Sequence, residues 1–516
     1  MPLKIIKKIL QARVYDVAHE TPIDAARFLT KRLNNQVLFK REDLQPVYSF
    51  KVRGAYNKIV NLSSEDQARG VIAASAGNHA QGVALAAAQL GIQATIVMPT
   101  TTPEIKVSSV AALGGIVVLH GDSFDDAYAH AQVLMAQHGY CFVHPYDDLD
   151  VIAGQGTVGM EILRQISGPL DAVFIPVGGG GLIAGVSCYI KYLRPDIKVI
   201  AVESEDSACF KAAMDAGKRV ILPEVGLFAD GVAVKQIGKE TFRLARECVD
   251  EVITVTTDEI CAAIKDVFDD ARCITEPAGA LSVAGLKKYV KSHGVMDQTL
   301  LAITSGANVN FDRLRHIAER SELGEKREAI FAVTIPEETG SFKTFCKTLG
   351  KRSITEFNYR YADGEHAHVF VGVQTKSPLE VDILQTELGE KGYSVVNLSD
   401  NEMAKLHIRH LVGGHGPSKR EVTGNDGAVV EEDLELVFRF EFPERPGALL
   451  AFLQTLGSRW NISLFHYRNH GAAFGRVLVG MQVPEGEQNT VEEYFSDLGY
   501  RYWDESNNPA YQLFLK

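Results

Sequence analysis

Ala172-Val-Phe-Ile-Pro-Val177-Gly178-Gly-Gly-Gly181-Leu182-Ile-Ala-Gly-Val-Ser-Cys-Tyr189 runs without interruption from an apolar stretch, through four glycines, into a segment of helical spacing. An apolar run without polar alternation predicts a strand that is dry on both faces, as in a parallel sheet covered by helices. Glycines lack Cβ atoms and let the backbone close on an anion, and the helix start that follows presents free N–H groups and a partial positive charge. The stretch therefore reads as strand, phosphate cradle and helix, since a merely tight turn needs one or two glycines. Gly179-Gly-Gly181-Leu-Ile-Ala184 also satisfies the G-x-G-x-x-A dinucleotide fingerprint, with Glu203 where a ribose ligand belongs, and the loop by itself does not separate the two readings.

The same texture extends to either side. Gly70 to Ala74, Ala94 to Met98, Gly115 to His120, Val199 to Glu203 and Thr299 to Thr304 are short apolar runs alternating with Ala-rich helical segments, which predicts an α/β body from about Val37 to Ser305. Most of these runs end in Gly, Ser, Pro or Asn, and ligands of open α/β sheets gather beyond the carboxyl ends of strands. The 516 residues are 46% apolar, enough for roughly three packed domains. A formal charge of −12 argues against nucleic acid or anionic membrane as partner, and no apolar stretch reaches the roughly 18 residues of a membrane span. Seven cysteines without a Cys-x-x-Cys pair fit neither a disulfide framework nor a zinc knuckle and suit a reducing cytoplasm. The basic start, Met1 to Lys8, has no long apolar core or small-residue cleavage site and reads as an amphipathic first helix.

Beyond a charged stretch from Phe311 to Glu328, where a domain boundary belongs, the chain repeats itself. Pro336, Glu337, Gly340, Phe345, Thr348, Leu349 and Gly350 recur 107 residues later as Pro443, Glu444, Gly447, Phe452, Thr455, Leu456 and Gly457. After a one-residue slip, Ile354, Phe357, Tyr359, Arg360, Val371, Gly372 and Gln374 recur at an offset of 108 as Ile462, Phe465, Tyr467, Arg468, Val479, Gly480 and Gln482. Each copy opens with a strand, clearest in the alternation of Leu434, Leu436, Phe438, Phe440 and Phe442. A helix follows, its apolar positions Phe342, Phe345, Cys346, Leu349 and Leu449, Phe452, Leu453, Leu456 spaced i, i+3, i+4, i+7. These are two small α+β units with helices laid on an antiparallel sheet, connected through the flexible stretches Gly413 to Arg420 and Thr423 to Gly427. Neither holds a nucleophile with a matched base, which assigns them to sensing. His366-Ala-His368 lacks a third ligand nearby and reads as an exposed turn.

Three further pieces carry chemistry. Pro46-Val-Tyr-Ser-Phe-Lys51-Val-Arg-Gly54 sets one lysine between an aromatic residue and a small-residue helix start, where a desolvated amine has a lowered pKa and can form a Schiff base. Ser75-Ala-Gly-Asn78-His79-Ala-Gln-Gly82 opens a helix beyond another strand, with a hydroxyl, an amide and N–H groups suited to a carboxylate. Thr304-Ser305-Gly-Ala-Asn-Val-Asn310 ends a third strand with a hydroxyl able to meet a ring nitrogen. Together with Gly178 to Gly181, these pieces resemble the fold type II pyridoxal phosphate enzymes, the tryptophan synthase β-like group. With Val151-Ile-Ala-Gly-Gln-Gly-Thr157 and Phe228-Ala-Asp-Gly-Val-Ala-Val234 added, the chain resembles threonine dehydratase. The doubled C-terminal unit resembles the paired ACT-like regulatory domains of the biosynthetic form, so the likeness covers essentially the whole chain.

The resemblance implies an α/β, fold type II catalytic domain over residues 1–325, followed by ACT-like α+β regulatory units over 326–412 and 413–516. It implies pyridoxal 5'-phosphate as cofactor, held covalently by Lys51, whose amine, once freed by substrate, removes the α proton. Phe50 would pack beside the ring, Asn78 would meet its 3-oxygen, Gly178, Gly179, Gly180, Gly181 and Leu182 would hold its phosphate, and Ser305 would face its pyridine nitrogen. A neutral hydroxyl does not stabilise a protonated ring, which disfavours a long-lived carbanion and favours β-elimination. Ser75, Asn78 and His79 are the candidates for the substrate carboxylate, with a helix-capping role as the rival for His79. Related serine racemases carry two serines before Gly-Asn-His, whereas this chain has Ala76 at the second, so racemisation should be weak. Their cation site is in doubt as well, because Cys209 stands where an acid would join Glu203, and no metal is expected.

The implied activity is elimination of L-threonine, and more slowly L-serine, to a 2-oxo acid and ammonia. For threonine the product is 2-oxobutanoate, the first step of isoleucine synthesis. Isoleucine is the implied inhibitor and valine its antagonist at the C-terminal units, where Pro336 to Gly340 and Pro443 to Gly447 offer backbone N–H groups to an amino-acid carboxylate. A cytoplasmic homotetramer is the implied assembly. Two alternatives share many of these residues: a β-replacement synthase, and an amino-acid sensor that has lost its activity.

Overall fold

The computed structural model describes residues 3–324, 328–336, 345, 348, 349, 354–361, 366–375, 377–408, 434–443, 461–468, 474–484, 487, 490, 491, 494, 495 and 499–515. They fall into two compact units, Met1–Gly324 and Glu325–Lys516. The first contains ten strands: β1 (Ile23–Ala25), β2 (Gln36–Arg41), β3 (Val71–Ala74), β4 (Ala94–Met98), β5 (Ile116–Leu119), β6 (Cys141–Phe142), β7 (Ala172–Pro176), β8 (Lys198–Ser204), β9 (Glu251–Val255) and β10 (Thr299–Thr304). The apolar runs by themselves suggest one sheet, but the chain builds two, a six-stranded sheet in the order β1-β2-β10-β7-β8-β9 and a four-stranded one in the order β5-β4-β3-β6. Every pairing is parallel except β1 with β2.

Strand alternation explains why the runs are apolar throughout. In the larger sheet Val173, Ile175, Leu301 and Ile303 enter one buried cluster, while Phe174, Leu300 and Ala302 enter another on the opposite face. From β7 the chain moves through β8 and β9 to one side, whereas β10 lies on the other. The carboxyl ends of β7 and β10 therefore flank the crevice where the strand order reverses. The N-terminal helix Leu3–Leu10 buries Ile5, Ile6 and Ile9 against this unit, as its amphipathic pattern predicts.

β2 escapes a reading by apolar runs because it ends in Lys40 and Arg41, both buried. Lys40 belongs to a charge cluster beneath the helix Lys51–Val60. Arg53 Nε donates to Glu42 Oε2 at 2.7 Å and its Nη1 to Glu161 Oε1 at 2.6 Å, while Lys40 Nζ donates to Glu161 Oε2 at 2.6 Å. All four side chains are 0% exposed, and two cations balance two carboxylates. Burial pushes the Glu42 carboxyl up, but Arg53 and Lys40 outweigh it and hold it below the usual range. Just above, a Cβ on Gly154 would lie 2.6 Å from the Arg53 carbonyl oxygen, so the helix Leu149–Gln165 crosses Lys51–Val60 in backbone contact.

The second unit repeats one topology. β11 (Glu328–Pro336), β12 (Ile354–Tyr361), β13 (His366–Gln374) and β14 (Ser394–Asn397) form an antiparallel sheet in the order β12-β13-β11-β14. β15 (Leu434–Pro443), β16 (Asn461–Arg468), β17 (Phe474–Val483) and β18 (Arg501–Asp504) form the order β16-β17-β15-β18. Register shifts fall at Ile354/Glu356 in one copy and at Ile462/Leu464 in the other. Ile330 N–H donates to Ser399 Oγ at 3.0 Å, and Val437 N–H to Ser506 Oγ at 3.0 Å. Phe345 and Leu349 enter the first core, in keeping with the helical pattern, and Leu436, Phe438 and Phe440 the second. Phe342, Cys346, Leu449, Phe452, Leu453, Leu456 and the stretches around Gly413 and Thr423 lie outside the described residues. His366 and His368 lie on β13 and not in a turn, with His368 Nδ1 3.0 Å from Thr334 Oγ1.

Removing Glu161 from the buried cluster leaves two buried cations with one carboxylate, Glu42. Glu161→Ala is expected to lose about 3–5 kcal/mol of stability, read as a lower urea midpoint, and a midpoint equal to that of the unaltered chain would contradict the structural weight given to the cluster.

Candidate active site

Beyond the ends of β7 and β10 lies a cavity lined by Phe50, Lys51, Asn78, Tyr146, Gln155, Gly178 to Gly181, Leu182, Glu276 and Ser305, among others. The residues expected to touch the cofactor are thus brought to one place beyond the ends of four strands, β2, β3, β7 and β10. Lys51 begins the helix anchored by the charge cluster, with its Nζ 5.9 Å from the centre of the Phe50 ring. Burial lowers its pKa to about 8, against the opposing pull of Glu276. A proton that leaves this readily makes the amine an accessible nucleophile near neutrality.

The four glycines connect β7 to the helix Gly181–Leu193. Gly180 has φ +91°, the left-handed region, and a Cβ on Gly179 would fall 2.1 Å from the Tyr146 ring. The loop is held from behind, where Gly179 O accepts from Thr241 Oγ1 at 2.8 Å and from Gly238 N–H at 3.2 Å. Side chains at these positions would strike Val232, Tyr146 or Thr241, and their absence leaves backbone N–H groups and a helix N-terminus for an anion.

At the other end, Ser305 Oγ donates to Ala278 O at 3.2 Å. Asn78 is clasped from two sides: its Nδ2 donates to Glu276 Oε1 at 2.6 Å, and its Oδ1 accepts from Asn308 Nδ2 at 2.7 Å. Burial, with Asp230 next, pushes the Glu276 carboxyl up to about 7 despite Asn78, Lys106 and Lys51. Asp230 adjoins the cavity-lining Gly231 and is paired with Lys106 Nζ at 2.8 Å. Glu276 and Asn308 had no role in the reading of the sequence. Asn308 sits inside a motif singled out for its serine, and Glu276 directly precedes Pro277 at a helix start, a position that reads as a cap.

The expected carboxylate contacts separate. Asn78 lines the cavity, whereas Ser75 Oγ accepts from Gly77 N–H at 3.3 Å. His79 is buried with Nε2 2.8 Å from Val143 O, and burial, with Lys51 next, pushes its pKa down to about 3. A neutral ring whose Nε2–H is committed to a main-chain carbonyl suits the structural role better than the substrate role. Glu203 accepts from Phe210 and Lys211 N–H, both at 2.8 Å, and so caps the helix Cys209–Ala216. That use leaves it no ribose to hold, against the dinucleotide reading. Among the described residues there is no group of three His, Cys, Asp or Glu placed to hold a metal ion.

A buried amine, a four-glycine loop with no room for side chains ahead of a helix N-terminus, and a neutral hydroxyl at the far end fit an aldehyde-bearing, phosphorylated heteroaromatic ring. Comparison with known proteins agrees. The pyridoxal-phosphate dependent enzyme model matches residues 14–306, and the model for the C-terminal regulatory domain of threonine dehydratase matches 319–408 and 426–515. The biosynthetic L-threonine dehydratase of Burkholderia multivorans is 56% identical over 513 residues, 99% of each chain. That of Escherichia coli is 55% identical over 512 residues, 99% of this chain and 96% of its own. Among solved structures, the processed threonine deaminase isoform 2 of Solanum lycopersicum superposes with a TM-score of 0.61 at 48% identity, covering 62% of this chain and 93% of that one.

Because the Gly179 position has no room for a methyl group, Gly179→Ala is expected to weaken binding of a phosphate-bearing ligand by about 5- to 150-fold, the scale of about 1–3 kcal/mol for overpacking. Equilibrium dialysis measures it, and unchanged affinity would show that the loop is not the cradle.

Proposed function

The chain belongs to the biosynthetic threonine dehydratases of the pyridoxal-phosphate dependent enzyme family, and on that premise we propose how its residues divide the elimination of L-threonine to 2-oxobutanoate and ammonia. One observation carries the assignment: a buried lysine, a four-glycine cradle and a serine hydroxyl line a single cavity at the switch point of a parallel sheet. When bound, the cofactor offers an aldehyde that condenses with amines and a ring that draws electrons from the substrate's α carbon.

Lys51 would hold that aldehyde covalently, and its Nζ, when free, would take the α proton of the substrate. The lowered pKa supports both roles, since a neutral amine is required for each. Backbone N–H groups from Gly178 to Leu182 would hold the phosphate, Phe50 would flank the ring, and Asn78 would donate to its 3-oxygen. Ser305 has one rotatable proton, and turning it from Ala278 O to the ring nitrogen gives up only one long hydrogen bond. The Ser75 hydroxyl and the main-chain N–H of Asn78, the first residue of the helix Asn78–Gln89, receive the substrate carboxylate, while His79 holds the 143 segment in place. L-serine is the slower substrate.

The second unit is the regulatory part, divided near residue 412 into two copies. Isoleucine inhibits there and valine opposes it. Support comes from the paired four-stranded sheets and from the regulatory-domain match to each copy. The loops after β11 and β15, where a carboxylate would be received, lie outside the described residues apart from Pro336 and Pro443. The working assembly is a cytoplasmic homotetramer. Among the described residues no helix is long and apolar enough to cross a membrane.

With threonine alone, the purified chain should release ammonia and 2-oxobutanoate in equal amounts, without an added nucleophile. Isoleucine should slow release and valine should restore it. Lys51→Ala should cost at least about 10²–10⁴ in rate, the contribution of a positioned acid–base group, and turnover surviving in that variant would overturn the assignment. In addition, capture of the cofactor aldehyde by cofactor-free protein should accelerate as pH rises through about 8, where Lys51 loses its proton. Stopped-flow absorbance measures this, and a pH-independent rate would be the contrary result.

A further inference from the structure

We propose that Glu276 and Asn308 are positioning residues, locking the Asn78 side-chain amide so that its one uncommitted N–H faces the cofactor's 3-oxygen. This rests on the reading above that Asn78 meets that oxygen. An amide group has two N–H donors and one carbonyl oxygen, and either end can face a ligand unless something distinguishes them. Here the distinction begins on the main chain. Asn308 Nδ2 spends one N–H on Val47 O at 2.8 Å, and a carbonyl can only accept. Its other N–H goes to Asn78 Oδ1 at 2.7 Å. Asn78 Nδ2 in turn donates to Glu276 Oε1 at 2.6 Å. Turning the Asn78 amide over would set donor against donor at Asn308 and carbonyl against carboxylate at Glu276. One Asn78 N–H remains without an assigned partner in this chain of bonds.

The carboxylate itself is seated by the loop after β10. Glu276 N–H donates to Gly306 O at 3.2 Å, and a Cβ on Gly306 would lie 2.4 Å from Glu276 Oε1. The residue next to Ser305 is therefore a glycine because the Glu276 carboxyl occupies the space beside it. One loop thus supplies the hydroxyl for the ring nitrogen, the asparagine that orients Asn78, and the gap that admits Glu276.

The test uses the full chain, stripped of cofactor and reloaded, and reads pyridoxal phosphate affinity and the absorbance maximum of the bound cofactor for N78A, E276A, E276Q, N308A and N78A/E276A. N78A and E276A should each weaken affinity about fivefold, the scale of one hydrogen bond, and move the absorbance maximum in the same direction. E276Q, whose amide oxygen still accepts from Asn78, should return to within about twofold of the unaltered chain. The double variant should be no worse than N78A. If E276A fails to fold, E276Q and N308A carry the test, and N308A must reproduce the N78A absorbance shift. E276A or N308A matching the unaltered chain while N78A is impaired would overturn this proposal alone. The same holds if E276A adds its full penalty to N78A, since Glu276 would then not act through Asn78. N78A matching the unaltered chain would remove the placement of Asn78 and this proposal with it.

Discussion

Two carboxylates, Glu42 and Glu161, and two cations, Lys40 and Arg53, meet without solvent beneath the helix that begins at Lys51. Burying four charges is unfavourable unless each finds its partners, and here Arg53 donates to both carboxylates while Lys40 adds Thr21 O and Gln165 Oε1. The cluster ties β2, the helix Lys51–Val60 and the helix Leu149–Gln165 into one rigid assembly. Only Val52 separates Arg53 from Lys51 in the sequence, so the cluster fixes where the reactive amine can be. A lysine on a mobile loop would be solvated and charged; this one is buried and lowered to about 8.

Around that anchor the sheet topology does the placing. β2, β10 and β7 are neighbours, and their carboxyl ends deliver the lysine segment, the Ser305 loop and the glycine loop to one crevice, while the smaller sheet brings Asn78 from β3. Lys51 and Glu276 both line the cavity, and the paired Asp230 and Lys106 act on the Glu276 carboxyl with opposite sign. Ser305, placed at the ring nitrogen as proposed, would add no charge there, in keeping with elimination in preference to chemistry that needs a stabilised carbanion.

Much of this was legible in the residues. The strands Ala94–Met98 and Thr299–Thr304 were readable to the residue because both faces are dry, and the glycine run because nothing else follows a strand with four missing Cβ atoms. The repeat announced its paired sheets through spacing alone. What escaped was held together by tertiary contact. β2 was hidden by Lys40 and Arg41, charges that look like surface until their partners, Glu161 for Lys40 and Asp24 for Arg41, are seen. Glu276 and Asn308 look like a helix cap and a loop residue, and only the meeting of two distant segments at Asn78 gives them a function. For His79 the motif left a substrate contact and a structural role both open, and the main-chain carbonyl of Val143 that holds its ring favours the second.

Everything proposed for the chemistry depends on which amine bonds to the cofactor. Borohydride reduction of the cofactor-loaded chain, followed by proteolysis and mass spectrometry, reads that bond directly. The account predicts a pyridoxyl label on the peptide containing Lys51 and on no other; a label on a different lysine, or none at all in fully loaded protein, would contradict it.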